Sequence, residues 1–379
     1  MDFSLSPEQQ AVQEKARRLA QEAKAEAARL DREARFPQEI LKTWAQEGMF
    51  GLALPKEYGG AGMDYVTYAL AQMELAQACP SSALILHVNH SIFGTAVMQF
   101  GTEAQQRNYL PPIAKGEIFG CFALTEPEAG SDAARLQSVA RQDGPEWVLT
   151  GQKNFVTSGH VARYAVVPAV TDPERTPKGI SSFIVDLTTP KITRGPLEDK
   201  LGLRSAGSVS LHFAEARLPG DALLGKENQG LRVALAALDA ARVGSAAIAV
   251  GLGRAVLAEA LSYGRRREQF GQPIVQFQAT QWKLADMATE LEAAALLVMK
   301  AAWLKDQNQP YGVAAAMAKR FATDCAMAAA LEGVQILGGY GYLKDYPMER
   351  YLRDAKAGPI YEGTNEIMRL VIARELLKK

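Results

Sequence analysis

Residues 229–263 read QGLRVALAALDAARVGSAAIAVGLGRAVLAEALSY, and apolar residues occupy nearly every face of the helix that they predict. At 1.5 Å per residue such a helix is about 50 Å long. A helix that is apolar all round is buried in a bundle or an oligomer. Its most apolar part, 243–253, lies between Arg242 and Arg254 and is too short to span a bilayer. We therefore expect a core helix and not a membrane span.

Helical patterns also fill most of the chain on both sides of a central segment. Ser6-Pro7-Glu8-Gln9 is a capping box with proline at the first helical position, and it opens an Ala/Glu/Lys/Arg-rich run to about Arg32. Proline and glycine residues separate the later runs. Helices are predicted at 6–32, 36–48, 64–78, 82–100, 103–115, 277–307, 311–337 and 364–377.

The central segment, residues 117–225, has the pattern of strands. Runs rich in β-branched and aromatic residues alternate with Gly, Pro, Asp and Ser. They lie at 146–150, 164–170, 180–187 and 208–213. This pattern is typical of antiparallel strands in a small barrel or sandwich. The order of helices, strands and helices predicts a strand domain between two helical ones.

Composition excludes several classes of protein. The 379 residues could form one large domain or about two to three smaller ones. Lys+Arg and Asp+Glu both number 42, so the zero net charge argues against binding to nucleic acid or to an anionic membrane. The N-terminus carries Asp2 and Glu8 and lacks the apolar stretch of a signal peptide. We expect a soluble, cytoplasmic protein.

Cysteine and histidine usage gives no metal site. Three widely spaced cysteines without a CxxC pair fit a reducing compartment and argue against disulfides and thiolate zinc sites. His87 and His90 have a spacing that could share a metal, but no third ligand recurs nearby. We predict no metal.

Two segments nearly match phosphate-binding motifs. GDALLGKE (220–227) has the GxxxxGK spacing of a P-loop, but Glu227 stands where a hydroxyl is needed. GLGRAV (251–256) begins G-x-G, but Val256 replaces the third glycine and the segment lies inside a predicted helix. The chain therefore resembles neither a P-loop NTPase nor a nicotinamide-binding Rossmann enzyme.

Glu362 is a candidate general base. It lies between Tyr361 and Gly363, just before Thr364 and a predicted helix start, and the glycine allows a ligand or another backbone to come close. An apolar pocket would raise its pKa above the solution value of about 4.3. The alternative interpretation is a solvated loop carboxylate or a charge at a helix N-terminus.

Three further segments could bind a cofactor. TEPEAGSD (125–132) carries small hydroxyl donors, QKNFVTSG (152–159) brings Phe155 and Thr157 to one side of a strand, and an arginine of 265–267 could pair with a pyrophosphate. A polar turn, an ordinary strand and a solvated basic face are the alternatives.

Five motifs follow one another along the chain: TEPEAGSD at 125, KLGLRSAGSVSLHFAEARLP at 200, YGRRREQFGQPIVQFQ at 263, QILGGYGYLKDYPMERYLRDAK at 335 and IYEGTNEIMRLVIARE at 360. They resemble, in this order, the motifs of the acyl-CoA dehydrogenases, FAD-containing flavoproteins that introduce a trans double bond beside a thioester carbonyl. The resemblance covers essentially the whole chain. It implies an α+β fold with an N-terminal all-α domain (1–120), a central β-barrel or sandwich domain (121–228) and a C-terminal four-helix bundle (229–379), assembled as a homotetramer.

The resemblance also implies the chemistry and the residues that carry it. Glu362, 27 residues after Gln335, would take the α-proton of an acyl-CoA thioester while the β-hydride passes to flavin N5. The thioester oxygen would be held by the backbone N–H of Glu362 and a ribityl hydroxyl, and electrons would pass to electron-transferring flavoprotein. Positions matching FAD contacts of the same subunit are Phe122, Leu124, Thr125, Ser131, Phe155, Val156, Thr157, Thr364 and Glu366. Positions matching contacts to a neighbour's FAD are Arg267, Phe270, Gln278, Gln335, Gly338 and Gly339. Positions matching substrate contacts are Ser131, Asp239, Arg242 and Gly363.

The sequence departs from the family pattern at three positions. Phe155 stands where many members have Trp, Glu128 replaces a common Gly, and Ala241 occupies the position of a minority catalytic Glu, which favours Glu362 as the base. The stretch GYGYLKDYP (339–347) favours short- or branched-chain members. An acyl-CoA oxidase or flavin monooxygenase on the same scaffold, and a non-catalytic FAD-binding scaffold, are the alternative functions.

Overall fold

The computed structural model of the protein describes residues 4–175 and 177–378. Asp2, one of the two charged residues that speak against a signal peptide, lies outside the described residues. The described chain contains eleven α-helices, and one of them, α10, has no counterpart among the predicted helices. The helices are α1 (Pro7–Glu33), α2 (Gln38–Gln46), α3 (Tyr65–Ala78), α4 (Pro80–His87), α5 (Thr95–Phe100), α6 (Glu103–Ala114), α7 (Gly230–Arg266), α8 (Gln278–Asp306), α9 (Gly312–Leu337), α10 (Met348–Ala357) and α11 (Asn365–Leu376).

The first helix begins where its capping box predicts. The Ser6 hydroxyl accepts from the backbone N–H of Gln9 at 3.2 Å, and the Gln9 side chain accepts from the N–H of Ser6 at 3.0 Å. The helix predicted at 82–100 is interrupted, because a π-helical segment, Val88–Gly94, joins α4 to α5. Single π-turns inside α-helices are frequent at functional sites.

The central segment forms one mixed sheet. Its strands are β1 (Gly120–Phe122), β2 (Val139–Asp143), β3 (Glu146–Thr157), β4 (Tyr164–Val170), β5 (Ile180–Asp186), β6 (Ile192–Arg194), β7 (Ser208–Leu218) and β8 (Leu223–Leu224), and a separate short hairpin pairs β9 (Glu268–Gln269) with β10 (Gln272–Pro273). The order is β6-β7-β3-β2-β4-β5-β8, with β1 beside β4. Most pairs are antiparallel as expected, but β4 pairs in parallel with β1 and β2, because long connections bring these strands together.

Helix α7 is the centre of the helical core and packs against α3, α8 and α9. Its glycines allow close packing: a Cβ at Gly251 would lie 2.3 Å from the Met73 carbonyl oxygen, and one at Gly253 would lie 2.3 Å from Leu291. The G-x-G of the rejected nucleotide motif therefore serves helix packing. Among the described residues this is also the one helix long and apolar enough to cross a membrane, but 83% of its apolar window is buried inside the fold. A buried core helix meets the same criteria of length and composition.

Helix α10 is held between the β-domain and α1. The Asp354 carboxylate accepts from the backbone N–H of Leu203 at 2.6 Å, and Arg353 donates to Asp31 of α1 at 2.7 Å. Both carboxylates are buried. This junction fixes the helix that leads into the turn before α11.

Candidate active site

Glu362 lies on a strained turn between α10 and α11. Its φ is 55° and that of Gly363 is 93°, so two successive residues adopt left-handed backbone conformations. For a glutamate this conformation is uncommon, and such outliers concentrate at functional sites. The hydroxyl of Thr364 then accepts from the N–H of Ile367 at 3.3 Å and caps α11. The expected placement of Glu362 just outside a helix start is confirmed.

A buried lysine holds this turn from α9. The side chain of Lys319 donates to the Gly363 carbonyl oxygen at 2.8 Å and to the side-chain oxygen of Asn365 at 3.1 Å. The N–H of Asn365 donates to the Pro359 carbonyl at 2.9 Å. In the described chain, the backbone hydrogen bonds found around the turn use the N–H groups of Tyr361 and Asn365 but not that of Glu362. The N–H of Glu362 therefore remains available to an incoming carbonyl.

Polar side chains surround the carboxylate of Glu362, which is 8% exposed. His87, the last residue of α4, lies with Nε2 2.9 Å from one carboxylate oxygen, and the Ser245 hydroxyl of α7 donates to the other. Burial raises the pKa of Glu362, whereas His87 and Ser245 lower it. Together with the nearby charge of Lys319, these two residues outweigh the effect of burial, and the pKa of Glu362 lies below its usual value. The expectation that an apolar pocket raises this pKa is wrong here, because hydrogen-bond donors face the carboxylate.

His87 is fully buried and has a second partner behind it. Its Nδ1 lies 3.1 Å from the hydroxyl of Tyr68 on α3. The space for the imidazole exists because α7 has glycine at position 244: a Cβ there would lie 2.2 Å from His87 Nδ1. His90 faces elsewhere, with Nδ1 3.0 Å from the Phe50 carbonyl oxygen. The two histidines thus have separate partners, and the described residues hold no cluster of three or more potential metal ligands.

Three of the four predicted substrate positions lie together on the α7 side of the turn. Arg242 is buried and donates to Asp239 at 2.5 Å, and a Cβ on Gly363 would lie 3.9 Å from Arg242. Asp239 also lines a surface cleft of about 610 Å³. Ser131 is exposed in the loop after β1, and no hydrogen bond joins it to Asp239 or Arg242 in the part of the chain that the structure describes.

The predicted flavin positions of the middle domain also lie together. The N–H of Asn154 donates to the Thr125 carbonyl at 2.8 Å, which places 122–125 beside the end of β3. A bulge in β3 gives Phe155 a φ of 56° and leaves its ring 66% exposed. The side chain of Val156 is buried, so it presents only its backbone. Regular alternation therefore does not place Phe155 and Thr157 on one side of β3, because the bulge interrupts the alternation of the strand.

The positions predicted to meet a neighbour's FAD are all exposed, at the end of the helical domain. Arg267, Gly338 and Gly339 line one cleft of about 570 Å³. Phe270, at the turn of the β9–β10 hairpin, is 95% exposed. A Cβ on either glycine would meet no atom within 4 Å, so the backbone there is open to close approach.

The chain matches models of three consecutive domains of one family. The acyl-CoA dehydrogenase N-terminal domain matches residues 6–117, the middle domain matches 121–216 and the C-terminal domain matches 228–377. The chain is also 42% identical to the short-chain specific acyl-CoA dehydrogenase of Clostridium acetobutylicum, with both chains covered in full. It belongs to the acyl-CoA dehydrogenase family.

Other relatives and solved structures agree with this acyl-CoA dehydrogenase assignment. The mitochondrial short-chain specific enzyme of Bos taurus is 44% identical over 93% of this chain and 85% of its own length. The butyryl-CoA dehydrogenase of Megasphaera elsdenii superposes with a TM-score of 0.98 at 39% identity, and a chain in the structure described as electron transferring flavoprotein of Acidaminococcus fermentans superposes with 0.99 at 43%. Both superpositions cover all of each chain. The expected family, α+β fold, oxidoreductase class and FAD cofactor are confirmed, while the domain boundaries stay predictions.

Sequence reasoning missed three residues of this acyl-CoA dehydrogenase site. His87, Ser245 and Lys319 contact Glu362 or its turn from α4, α7 and α9. A lysine or histidine at a fully buried helix position indicates that the side chain has a buried partner, since such residues are seldom buried unless paired. The sequence alone does not give the partner, because these contacts span 44 to 275 residues.

Proposed function

We propose that this chain dehydrogenates short acyl-CoA thioesters to trans-2-enoyl-CoA, with Glu362 as the base that takes the α-proton. The observation that carries the proposal is the strained turn that presents a buried carboxylate beside a backbone N–H with no partner among the hydrogen bonds described above. The carboxylate can accept a proton while the backbone N–H donates a hydrogen bond to the thioester oxygen. That pairing is what removal of an α-proton requires.

The residues at the end of β3 fit a flavin. Phe155 offers an exposed ring, and the Ser158 hydroxyl is buried without a hydrogen-bond partner among the described residues. A Cβ on Gly130, in the facing loop, would meet no atom within 4 Å. An aromatic face, an unsatisfied polar group and open space together suit a planar, polar ring system. Phe122, Leu124, Thr125 and Thr157 would hold FAD from the same subunit.

Bound FAD supplies the acceptor for the β-hydrogen and its electron pair. The chain's own contribution is positional and electrostatic. The Glu362 N–H donates to the thioester oxygen, which stabilises negative charge as the α-carbon–hydrogen bond breaks. The carboxylate of Glu362 takes that proton. Substrate that excludes water around the carboxylate raises its pKa and makes it a stronger base.

The surface beside Asp239 supports a CoA ester as substrate. The cleft of about 610 Å³ is lined by Arg175, Lys178 and Arg232, which would suit the phosphates of CoA. His87 and Tyr68, both fully buried, fill the space behind the base. A short acyl group is supported by the short-chain specificity named for the relatives from Bos taurus and Clostridium acetobutylicum.

Replacement of Glu362 by Gln tests the base. The variant should keep yellow FAD and bind butyryl-CoA, but anaerobic bleaching of the flavin by butyryl-CoA should fall by about 10³-fold or more, since an amide cannot accept the proton. Glu375→Gln, at an exposed position of α11 paired with Lys378, is the matched control and should bleach normally. Bleaching of the Glu362→Gln protein within a few-fold of wild type would assign the base to another residue.

We further infer a homotetramer in which Arg267 and Gln335 reach a neighbour's FAD, with Phe270, Gln278, Gly338 and Gly339. The exposure of all six residues and the cleft at Arg267 support this arrangement. Arg267→Ala should lower the FAD content of the purified oligomer, whereas Arg265→Ala, on the same exposed segment, should not. A monomer that retains one FAD per chain at micromolar concentration would contradict the inference.

We infer that electrons leave to electron-transferring flavoprotein and that the protein is cytoplasmic. The superposed chain from Acidaminococcus fermentans supports the first part. Turnover with butyryl-CoA should depend on added electron-transferring flavoprotein, with little reduction of NAD and slow peroxide formation. Rapid peroxide formation that ignores the carrier protein would identify an oxidase instead.

A further inference from the structure

His87 connects the proposed base to a buried polar network. Its Nε2 lies 2.9 Å from Glu362 and its Nδ1 lies 3.1 Å from the Tyr68 hydroxyl. That hydroxyl also accepts from the Ser91 hydroxyl at 2.7 Å and from the Gln72 amide at 2.9 Å. All four partners behind the carboxylate are buried. We propose that His87 is a positioning residue for the dehydrogenation, which fixes the orientation and the basicity of the Glu362 carboxylate through its Nε2–H.

The direction of the hydrogen bonds follows from which groups can donate, the carboxylate of Glu362 at one end and the hydroxyl of Tyr68 at the other. A carboxylate can only accept, so Nε2 of His87 carries the proton that it shares with Glu362. The Tyr68 hydroxyl already accepts two hydrogen bonds, so its single proton points at Nδ1. Every donor of the network is thus directed toward Glu362. Hydrogen bonds arranged in this way polarise one another and strengthen the last one.

Among the described residues the network offers protons no route to solvent. Beyond Ser91 it continues to the Tyr65 hydroxyl, which donates to Ser91 at 2.9 Å and lies 3.1 Å from the Ala240 carbonyl oxygen. Tyr65 and Ala240 are buried, so the path ends inside the protein. Orientation of the base is the role that remains for the network.

Backbone features on two sides keep His87 in place. His87 is the last residue of α4, directly before the π-helical segment. Gly244 faces it from α7, where a Cβ would come within 2.2 Å of Nδ1 and 3.2 Å of the Tyr68 hydroxyl. The imidazole therefore has little freedom to rotate away from Glu362.

The pH dependence of the base depends on every charged or titratable group that faces it. These groups come from α3, α4, α7, α9 and the turn itself. They are Tyr65, Tyr68, His87, Arg242, Lys319 and Tyr361. Burial raises the pKa of Glu362, and His87 is the strongest of the groups that lower it. Without His87 the pKa of Glu362 should rise, and the protonated, inactive form of the base should appear at a higher pH.

The test rests on the proposed function and compares three variants of the FAD-loaded protein. His87→Gln keeps an amide in place of the imidazole and never carries charge. Tyr68→Phe removes only the hydroxyl at Nδ1. His90→Gln, a buried histidine three residues away that does not touch Glu362, is the matched control. The readouts are kcat/KM with butyryl-CoA between about pH 4 and about pH 9 and the ionisation of the Glu362 carboxyl by infrared difference spectroscopy, assigned with Glu362→Gln.

We expect the acidic limb of the kcat/KM profile of His87→Gln to lie at a higher pH than that of wild type, by roughly one pKa unit. The carboxyl signal should titrate at the same higher pH. Tyr68→Phe should shift both in the same direction by a smaller amount, which keeps the test open if His87→Gln does not fold. His90→Gln should keep the wild-type profile.

Wild-type pH profiles for both His87→Gln and Tyr68→Phe would overturn the inference, as would an equal shift in His90→Gln. Failure of wild-type protein to bleach with any acyl-CoA is a different result, because it refutes the proposed function itself. In that case the infrared titration still reports whether His87 sets the ionisation of Glu362.

Discussion

Replacement of Lys319 by Met should reduce turnover much more than it reduces stability. The side chain is fully buried and its ammonium group makes two hydrogen bonds, to Gly363 and Asn365. Two hydrogen bonds from a charged donor contribute about 3–6 kcal/mol. Burial opposes this gain, because loss of water around the ammonium group lowers the pKa of Lys319 from 10.5 to about 8 even with the charge of Glu362 nearby. The two contributions largely cancel, so the free energy of unfolding should change by no more than about 2 kcal/mol.

The loss of turnover caused by Lys319→Met is not offset in this way. Left-handed backbone at a residue such as Glu362 costs about 1–3 kcal/mol and persists only where neighbouring contacts impose it. Without the Lys319 tether the turn can relax, and the carboxylate and its N–H lose their alignment. We expect kcat with butyryl-CoA to fall about 10- to 100-fold.

The assay is steady-state turnover of FAD-loaded protein with electron-transferring flavoprotein, together with thermal unfolding of the same samples. Lys283→Met is the matched control, since Lys283 pairs with Glu332 at a partly exposed site between α8 and α9. Its turnover should stay within about two-fold of wild type. A Lys319→Met protein with normal kcat would refute the reasoning, and so would a loss of activity that only follows a large drop in Tm.

Three further predictions follow from the packing and the charges. Gly244→Ala should lower both Tm and kcat in the same assays, because its Cβ would lie 2.2 Å from His87 Nδ1; unchanged values would mean that α7 moves aside freely. Burial raises the pKa of Asp354 from 3.8 to about 7. The stability that this carboxyl contributes below its unfolded pKa is therefore lost as the pH rises from about 4 to about 7, and Asp354→Asn should flatten the fall of Tm over that range, whereas parallel curves would contradict the shift. Phe155→Ala should leave Tm of the FAD-free protein within about 1 °C, because the ring is 66% exposed, yet it should weaken FAD retention on gel filtration, and undiminished retention would exclude a stacking role.

Local sequence signals predict the helix positions well where the chemistry is itself local. The Ser6–Gln9 capping box and the apolar run of α7 each involve neighbouring residues, and both elements begin within a residue or two of the predicted position. The π-helical segment Val88–Gly94 was not predictable, because all of its residues are buried, polar and apolar alike, and leave no periodicity to read. Helix α10 was missed because it has only ten residues beside a glycine-rich segment, although the Glu349–Arg353 pair was a usable signal.

The candidate site was predictable as a position but not as an environment. The sequence around Glu362, with a glycine after it and a helix start beyond, predicts its place correctly. Its surroundings come from three distant helices, and a histidine 275 residues away determines part of its ionisation. His87 and His90 lie three residues apart, yet the backbone directs the two rings to different partners. Such partners depend on tertiary packing and leave no local pattern.

The close approach of Gly244 to His87 constrains the order in which this pair could have arisen in evolution. A histidine at position 87 would collide with any side chain at position 244, whereas a glycine at 244 is compatible with smaller residues at 87. The glycine must therefore have been present before the histidine, or both changed together. The reverse order would pass through a destabilised intermediate. Once the histidine is in place, position 244 can no longer change alone, although the two positions lie 157 residues apart in the chain.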